Sequence, residues 1–183
     1  ITMAGQRLTD KTALEEQLGS GDLFMVVDVN DSTGSAEGTS KKFDTKYLIQ
    51  TDKISVTNAE LQLMKADGSA GSFKTLVGAL SGYMITVYNV TVLCTYGAST
   101  EGSNNNLYFG YKSDSITAYW SYARRFMSGE TDDITASFAG VAPSGGTCKE
   151  SILNKPFLMY ANSPFDGGWT CDVYVTYAYT KVL

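Results

Sequence analysis

From Lys53 to the C-terminus the chain breaks into short runs of apolar and β-branched residues separated by clusters of Gly, Ser, Asn and Asp. Runs that short cannot make long helices, and turn residues at that spacing point to an antiparallel sheet protein. Candidate strands fall near residues 53–57, 60–64, 83–97, 106–111, 116–122, 132–138, 156–161 and 169–181. The last alternates most clearly, with Cys171, Val173, Val175, Tyr177 and Tyr179 on one face and Asp172, Tyr174, Thr176 and Ala178 on the other. Residues 83–96 are long for one strand and alternate only in part, so a bulge or bend is expected near Asn89. Residues 67–80 read as one turn of helix or a wide loop. About eight such strands predict a mainly β, jelly-roll-like sandwich.

The first fifty residues have a different texture. Residues 8–18 read as a short helix, capped by Thr9 or Asp10 and ended by Gly19. Residues 22–29 form a strand candidate that is apolar on both faces, and the polar loop after it offers no obvious local partner. An arm of this size cannot bury its own apolar surface, so it is expected to pack on other chains. The expected organisation is an arm at 3–50 and a β-sandwich head at 51–183. Ile1 lacks an initiator methionine; a start at Met3 and a cut before Ile1 both remain open.

Composition excludes several function classes. The 183 residues contain no histidine, which removes histidine triads, histidine zinc sites and imidazole acid–base chemistry. A net charge of −5 argues against a nucleic-acid partner, since phosphate binding depends on Lys and Arg. No apolar run is long enough to span a membrane. The three cysteines are widely spaced and suggest no disulfide framework or metal site; Cys94 and Cys171 read as small buried residues, and all three are expected to stay reduced. No cofactor and no metal are expected.

The motifs that remain are modest. Glu130, Asp132 and Asp133 form the densest acidic cluster, but neighbours on a strand face opposite ways, so a solvated turn is preferred to a calcium site or a glycosidase pair. Gly38-Thr39-Ser40-Lys41-Lys42 lacks the Gly-Lys step of a phosphate loop. Its lysines are expected to pair with acids of another chain or to face water. Tyr119, Trp120, Tyr122, Arg124, Asp166 and Trp169 are the candidates for glycan binding, because exposed rings stack on sugar faces; burial of Trp120 and Trp169 in a core or interface is the competing reading.

One segment carries a resemblance. Residues 22–35, Asp-Leu-Phe-Met-Val-Val-Asp-Val-Asn-Asp-Ser-Thr-Gly-Ser, and 38–43, Gly-Thr-Ser-Lys-Lys-Phe, resemble a strand and loop near the start of many tailed-phage fibre and spike proteins. More loosely, the run from Val90 to Gly97, the loop Asn104-Asn105-Asn106 and the strand Leu107-Tyr108-Phe109-Gly110-Tyr111 are similar to a β domain of phage structural proteins. The resemblance implies a non-enzymatic virion protein made in the bacterial cytoplasm: a homotrimeric head fibre, tail fibre or capsid spike. It would display the β domain, with capsid or tail proteins as partners. It implies that Leu23, Phe24, Val26, Val27, Gly38, Thr39, Ser40, Lys41, Lys42 and Phe43 form the attachment and trimer stem. The alternatives are a host-glycan-binding receptor-recognition module and, more remotely, a carbohydrate-degrading spike.

Overall fold

A computed structural model describes residues 23–34, 36, 38–44, 47–140 and 149–182. The helix expected at 8–18 lies outside them. The chain divides into two compact units, Ile1–Thr45 and Lys46–Leu183.

In the first unit, β1 (Leu23–Asp28) pairs antiparallel with β2 (Thr39–Asp44). This corrects the expectation that the apolar strand has no local partner. The sequence Thr-Ser-Lys-Lys-Phe-Asp shows no apolar alternation, so β2 is invisible to periodicity; its hydrogen-bonding backbone makes the pair.

Among its described residues the second unit has eight strands: β3 (Gln50–Val56), β4 (Lys74–Val77), β5 (Tyr83–Tyr96), β6 (Leu107–Gly110), β7 (Ser121–Ala123), β8 (Ile134–Phe138), β9 (Phe157–Ala161) and β10 (Trp169–Lys181). They form two four-stranded sheets, ordered β3-β10-β5-β8 and β4-β9-β6-β7. Four antiparallel pairs are nested: β3 with β10, β4 with β9, β5 with β8, and β6 with β7. The chain thus resembles one long hairpin rolled up, with β10–β5 and β9–β6 closing each sheet. That connectivity is a jelly roll.

The core lies between the sheets. Val90, Val92, Cys94, Cys171, Val173 and Val175 come from one, and Leu107, Phe109, Phe157, Met159 and Ala161 from the other. Phe109 meets Phe138 across the gap at a ring-centroid distance of 4.9 Å. β10 alternates as its sequence predicts, with Trp169, Cys171, Val173, Val175 and Tyr177 buried. In β5 the inward residues are Ile85 and Val87, then Val90, Val92 and Cys94. The change of parity is the expected bulge: Thr176 faces Asn89 while Tyr177 faces Val87, leaving Tyr88 as the extra residue.

Three segments differ from the sequence reading. Residues 60–64 are not a strand. Asn58–Leu61 is a helical turn, α1, because Thr57 and Glu60 form a capping box in which the Glu60 carboxylate accepts the Thr57 N–H at 2.8 Å. Residues 74–77, inside the expected loop, form the edge strand β4, held by backbone pairing with β9. A second helical turn, α2, covers Lys149–Ile152. In the 116–122 segment only Ser121 and Tyr122 are strand, and the pairing of β7 extends to Ala123.

Candidate functional site

The residues of the resemblance motif are gathered in the β1–β2 hairpin. Phe24 faces Phe43, Val26 faces Lys41 and Val27 faces Ser40 in register, and Leu23 and Lys42 pair with Asp44 and Met25. The loop between the strands is built by its own side chains. Asp31 accepts the Thr33 N–H at 3.0 Å and the Thr33 hydroxyl at 2.7 Å, and the Gly34 N–H donates to Thr39 Oγ1 at 2.8 Å. Gly38 has φ 122°, and a Cβ there would sit 2.7 Å from the Asp28 carbonyl oxygen, so the hairpin requires glycine at this point.

Lys41 Nζ lies 2.9 Å from Asp28 and 2.8 Å from Asp31, an ion-pair triad within one chain. The lysine holds both carboxyls below their usual range, helped at Asp28 by the Asn30 N–H and at Asp31 by Thr33, and is itself pushed up by them. The sequence places partners for these lysines on another chain or in water; for Lys41 they are local.

Part of the hairpin's apolar surface, in and just after β1, is exposed. Met25 is 83% exposed, Val27 57% and Val29 72%, with Val26 also exposed. Adjacent residues of a strand face opposite ways, so both faces present apolar groups. An isolated two-stranded ribbon is marginally stable in water, and one that shows valine and methionine on both sides lacks the burial a ribbon needs.

The six glycan-binding candidates divide. Tyr119 and Tyr122 belong to a layer of tyrosines on the outer face of the β4-β9-β6-β7 sheet. Tyr122 stacks on Tyr108 and Tyr108 on Tyr160, at centroid distances of 5.7 and 5.6 Å, and Tyr119 leans on Tyr108 and Tyr122. Tyr160 is fully buried there with Leu158, under Ala66 and Phe73, and its hydroxyl donates to the Ser115 carbonyl. Burial pushes the Tyr160 phenol up from its ordinary value. Trp120 turns the other way and meets Phe157 edge-on at 5.5 Å. Trp169 is 1% exposed in the core, edge-on to Tyr96 at 5.1 Å, and its indole N–H has no hydrogen-bond partner among the described residues. Arg124 is exposed. Asp166 accepts the N–H groups of Gly102 and Ser103 at 2.9 and 3.2 Å, so it serves the β5–β6 loop. These N–H donors hold its carboxyl below the usual range.

The partner of that interaction is a residue whose burial the sequence reading missed. Glu101 is 1% exposed, and its carboxylate accepts the N–H groups of Asp166 and Gly167 at 3.0 and 2.9 Å and the Ser103 hydroxyl. Each loop thus caps the other with one carboxylate, and Asn105 adds a bond from its amide to the Pro164 carbonyl at 2.5 Å. Both carboxylates are occupied by donors, which makes this a structural lock. No sequence signal marks it: Glu101 stands in a polar loop and resembles any solvated acid. In the acidic cluster, Asp133 accepts the Tyr96 N–H at 2.8 Å, and Glu130 and Asp132 are exposed.

No protein-family model matches the chain, and no curated protein matches it. Among solved structures it is similar to a chain of the cyanophage Pam1 capsid asymmetric unit, at 14% identity and a TM-score of 0.34, covering 96% of this chain and 97% of that one. It is also similar to a chain of the full particle of Israeli acute paralysis virus heated to 63 degrees, at 12% identity and a TM-score of 0.31, over 94% and 96% of the two chains. For a chain of the native virion of Kashmir bee virus at acidic pH the values are 10%, 0.30, 94% and 96%.

Proposed function

We propose that the chain is a structural protein of a phage particle: a homotrimeric head fibre or capsid spike that attaches through its N-terminal arm and displays the jelly roll outward. The observation that carries this reading is the β1–β2 hairpin, whose motif residues build an ordered loop while Met25, Val26, Val27 and Val29 remain exposed. A second and third copy, or a shell protein, would bury that surface, and a closed symmetric assembly does so without leaving an open edge. The action is non-covalent: display, with avidity from repeated copies.

The test is absolute mass in solution by light scattering, on the full chain and on Val27→Asp. The native chain is expected at about three times its 19.8 kDa. The variant should fall towards a single chain, with an unfolding midpoint for the head that changes little, since surface substitutions usually stay within about 0.5 kcal/mol. A native chain at 19.8 kDa would sink the homotrimer and leave the shell as the hairpin's partner.

A second reading, recognition of a host glycan, has one observation in its favour. Tyr122 is 36% exposed at the end of the tyrosine stack, a ring held flat by Tyr108 with Arg124 two positions on. Rings presented this way suit sugar faces, and glycan-array binding reads this directly.

A further inference from the structure

Cys94 and Cys171 lie 77 positions apart in sequence, yet their sulfurs are 2.9 Å apart in the core. They face each other in register on β5 and β10, the two inner strands of the sheet, between the Trp169–Tyr96 and Val173–Val92 pairs. Directly opposed residues of antiparallel strands have Cα separations of roughly 4.5–5.5 Å, inside the range that a disulfide spans. Both residues are buried, at 2% and 3% exposure, and both are free thiols. Two thiols at this distance are close enough to bond with little backbone movement.

We propose that Cys94 and Cys171 are an oxidisable pair that closes to an intramolecular disulfide and staples β5 to β10 when the protein meets a peroxide. The expectation of three permanently reduced cysteines treats them as separate residues; the register makes two of them a unit. The step balances with hydrogen peroxide as the named oxidant. One Sγ attacks the O–O bond, an S–O bond forms, and water leaves with the second oxygen. The other Sγ attacks the sulfenic sulfur, the S–S bond forms, the S–O bond breaks, and a second water carries away the hydroxyl and the thiol proton. The pair is oxidised by two electrons and the peroxide is reduced to two waters. Burial keeps the Cys94 thiol neutral, pushed up by its neighbour Cys171 and by desolvation, so the reaction waits on brief openings of the core. Once closed, the link ties a loop of 77 positions and restricts the unfolded chain.

The experiment treats the folded 183-residue chain with dilute hydrogen peroxide, blocks residual thiols in denaturant, and maps peptides by mass. Expected is a loss of about 2 Da in intact mass, with one cross-linked peptide pair containing Cys94 and Cys171. The urea unfolding midpoint should rise after oxidation and return on adding dithiothreitol. The same treatment of Cys148→Ser should give the same cross-link, since Cys148 takes no part. Two blocked free thiols at positions 94 and 171, a gain of oxygen on either, or a disulfide from either one to Cys148 would overturn the proposal.

Discussion

The two units of this chain solve the burial problem in opposite ways. The jelly roll puts Val90, Val92, Val173 and Val175 against Leu107, Phe109, Phe157 and Met159, and closes a core from its own residues. The β1–β2 hairpin has a full antiparallel register and a loop tied by Asp28, Asp31, Thr33 and Lys41, yet it leaves Met25 and Val27 in water. Backbone pairing alone therefore sets the shape of a ribbon, but burial between two layers is what makes a unit self-sufficient. The outer faces of the two sheets repeat the contrast on a smaller scale. The β3-β10-β5-β8 sheet faces outward with hydroxyl pairs such as Thr51–Thr176 and Thr86–Thr180, at 2.9 and 2.8 Å, and with the Lys53–Asp172 ion pair. The β4-β9-β6-β7 sheet is buried on both sides in β6 and β9, under its tyrosine layer.

The largest effect should come from breaking the head. Phe157 is fully buried and touches Tyr111 and Trp120 edge-on, so Phe157→Ala should cost about 3–5 kcal/mol in urea unfolding, from lost burial and the cavity left behind. In the hairpin Met25 and Val27 are exposed, so an alanine substitution at either should fall well short of that figure.

A smaller effect is expected at the loop lock. Glu101→Ala removes the acceptor of two backbone N–H groups, that of Gly167 buried and that of Asp166 part-buried, which should cost about 1–3 kcal/mol. A variant as stable as the native chain would show that water replaces the carboxylate and that the lock is incidental.

The smallest effect is shared by both units and is set by pH. Asp28 and Asp31 in the hairpin, and Glu60, Asp67, Asp166 and Asp172 in the head, all have carboxyls held below their ordinary values of 3.8 for Asp and 4.5 for Glu. A carboxyl that binds its proton less readily when folded stabilises the fold above its unfolded pKa, and that contribution disappears as pH falls through the folded value. Unfolding midpoints should therefore hold steady from neutral pH down to about 4.5 and decline below it. A midpoint that rises below pH 4 would contradict the assigned partners.

Much of the head was legible in its letters. The alternation of residues 169–181 marked which side of β10 is buried, and the imperfect alternation around Asn89 marked the bulge, because both are properties of a single strand. The cluster of hairpin motif residues was legible as a unit by resemblance, and its loop chemistry follows from Asp, Thr and Gly at short range. Less was legible at the aromatic candidates. Tyr119 and Trp120 are neighbours in sequence, but one joins the outer tyrosine layer and the other meets Phe157 in the core.

What the sequence determined by itself is local: strand periodicity, turn residues, and the absence of any imidazole. What only the tertiary structure decided is who stands opposite whom. β2 became the partner of β1, β4 became an edge strand, Glu101 was drawn under the loop that carries Asp166, and Cys94 came to face Cys171. Periodicity is read over a few residues of one chain segment, whereas sheet register and loop docking join backbone groups far apart in sequence. Those contacts form where the burial of both partners together outweighs the chain entropy of bringing them there.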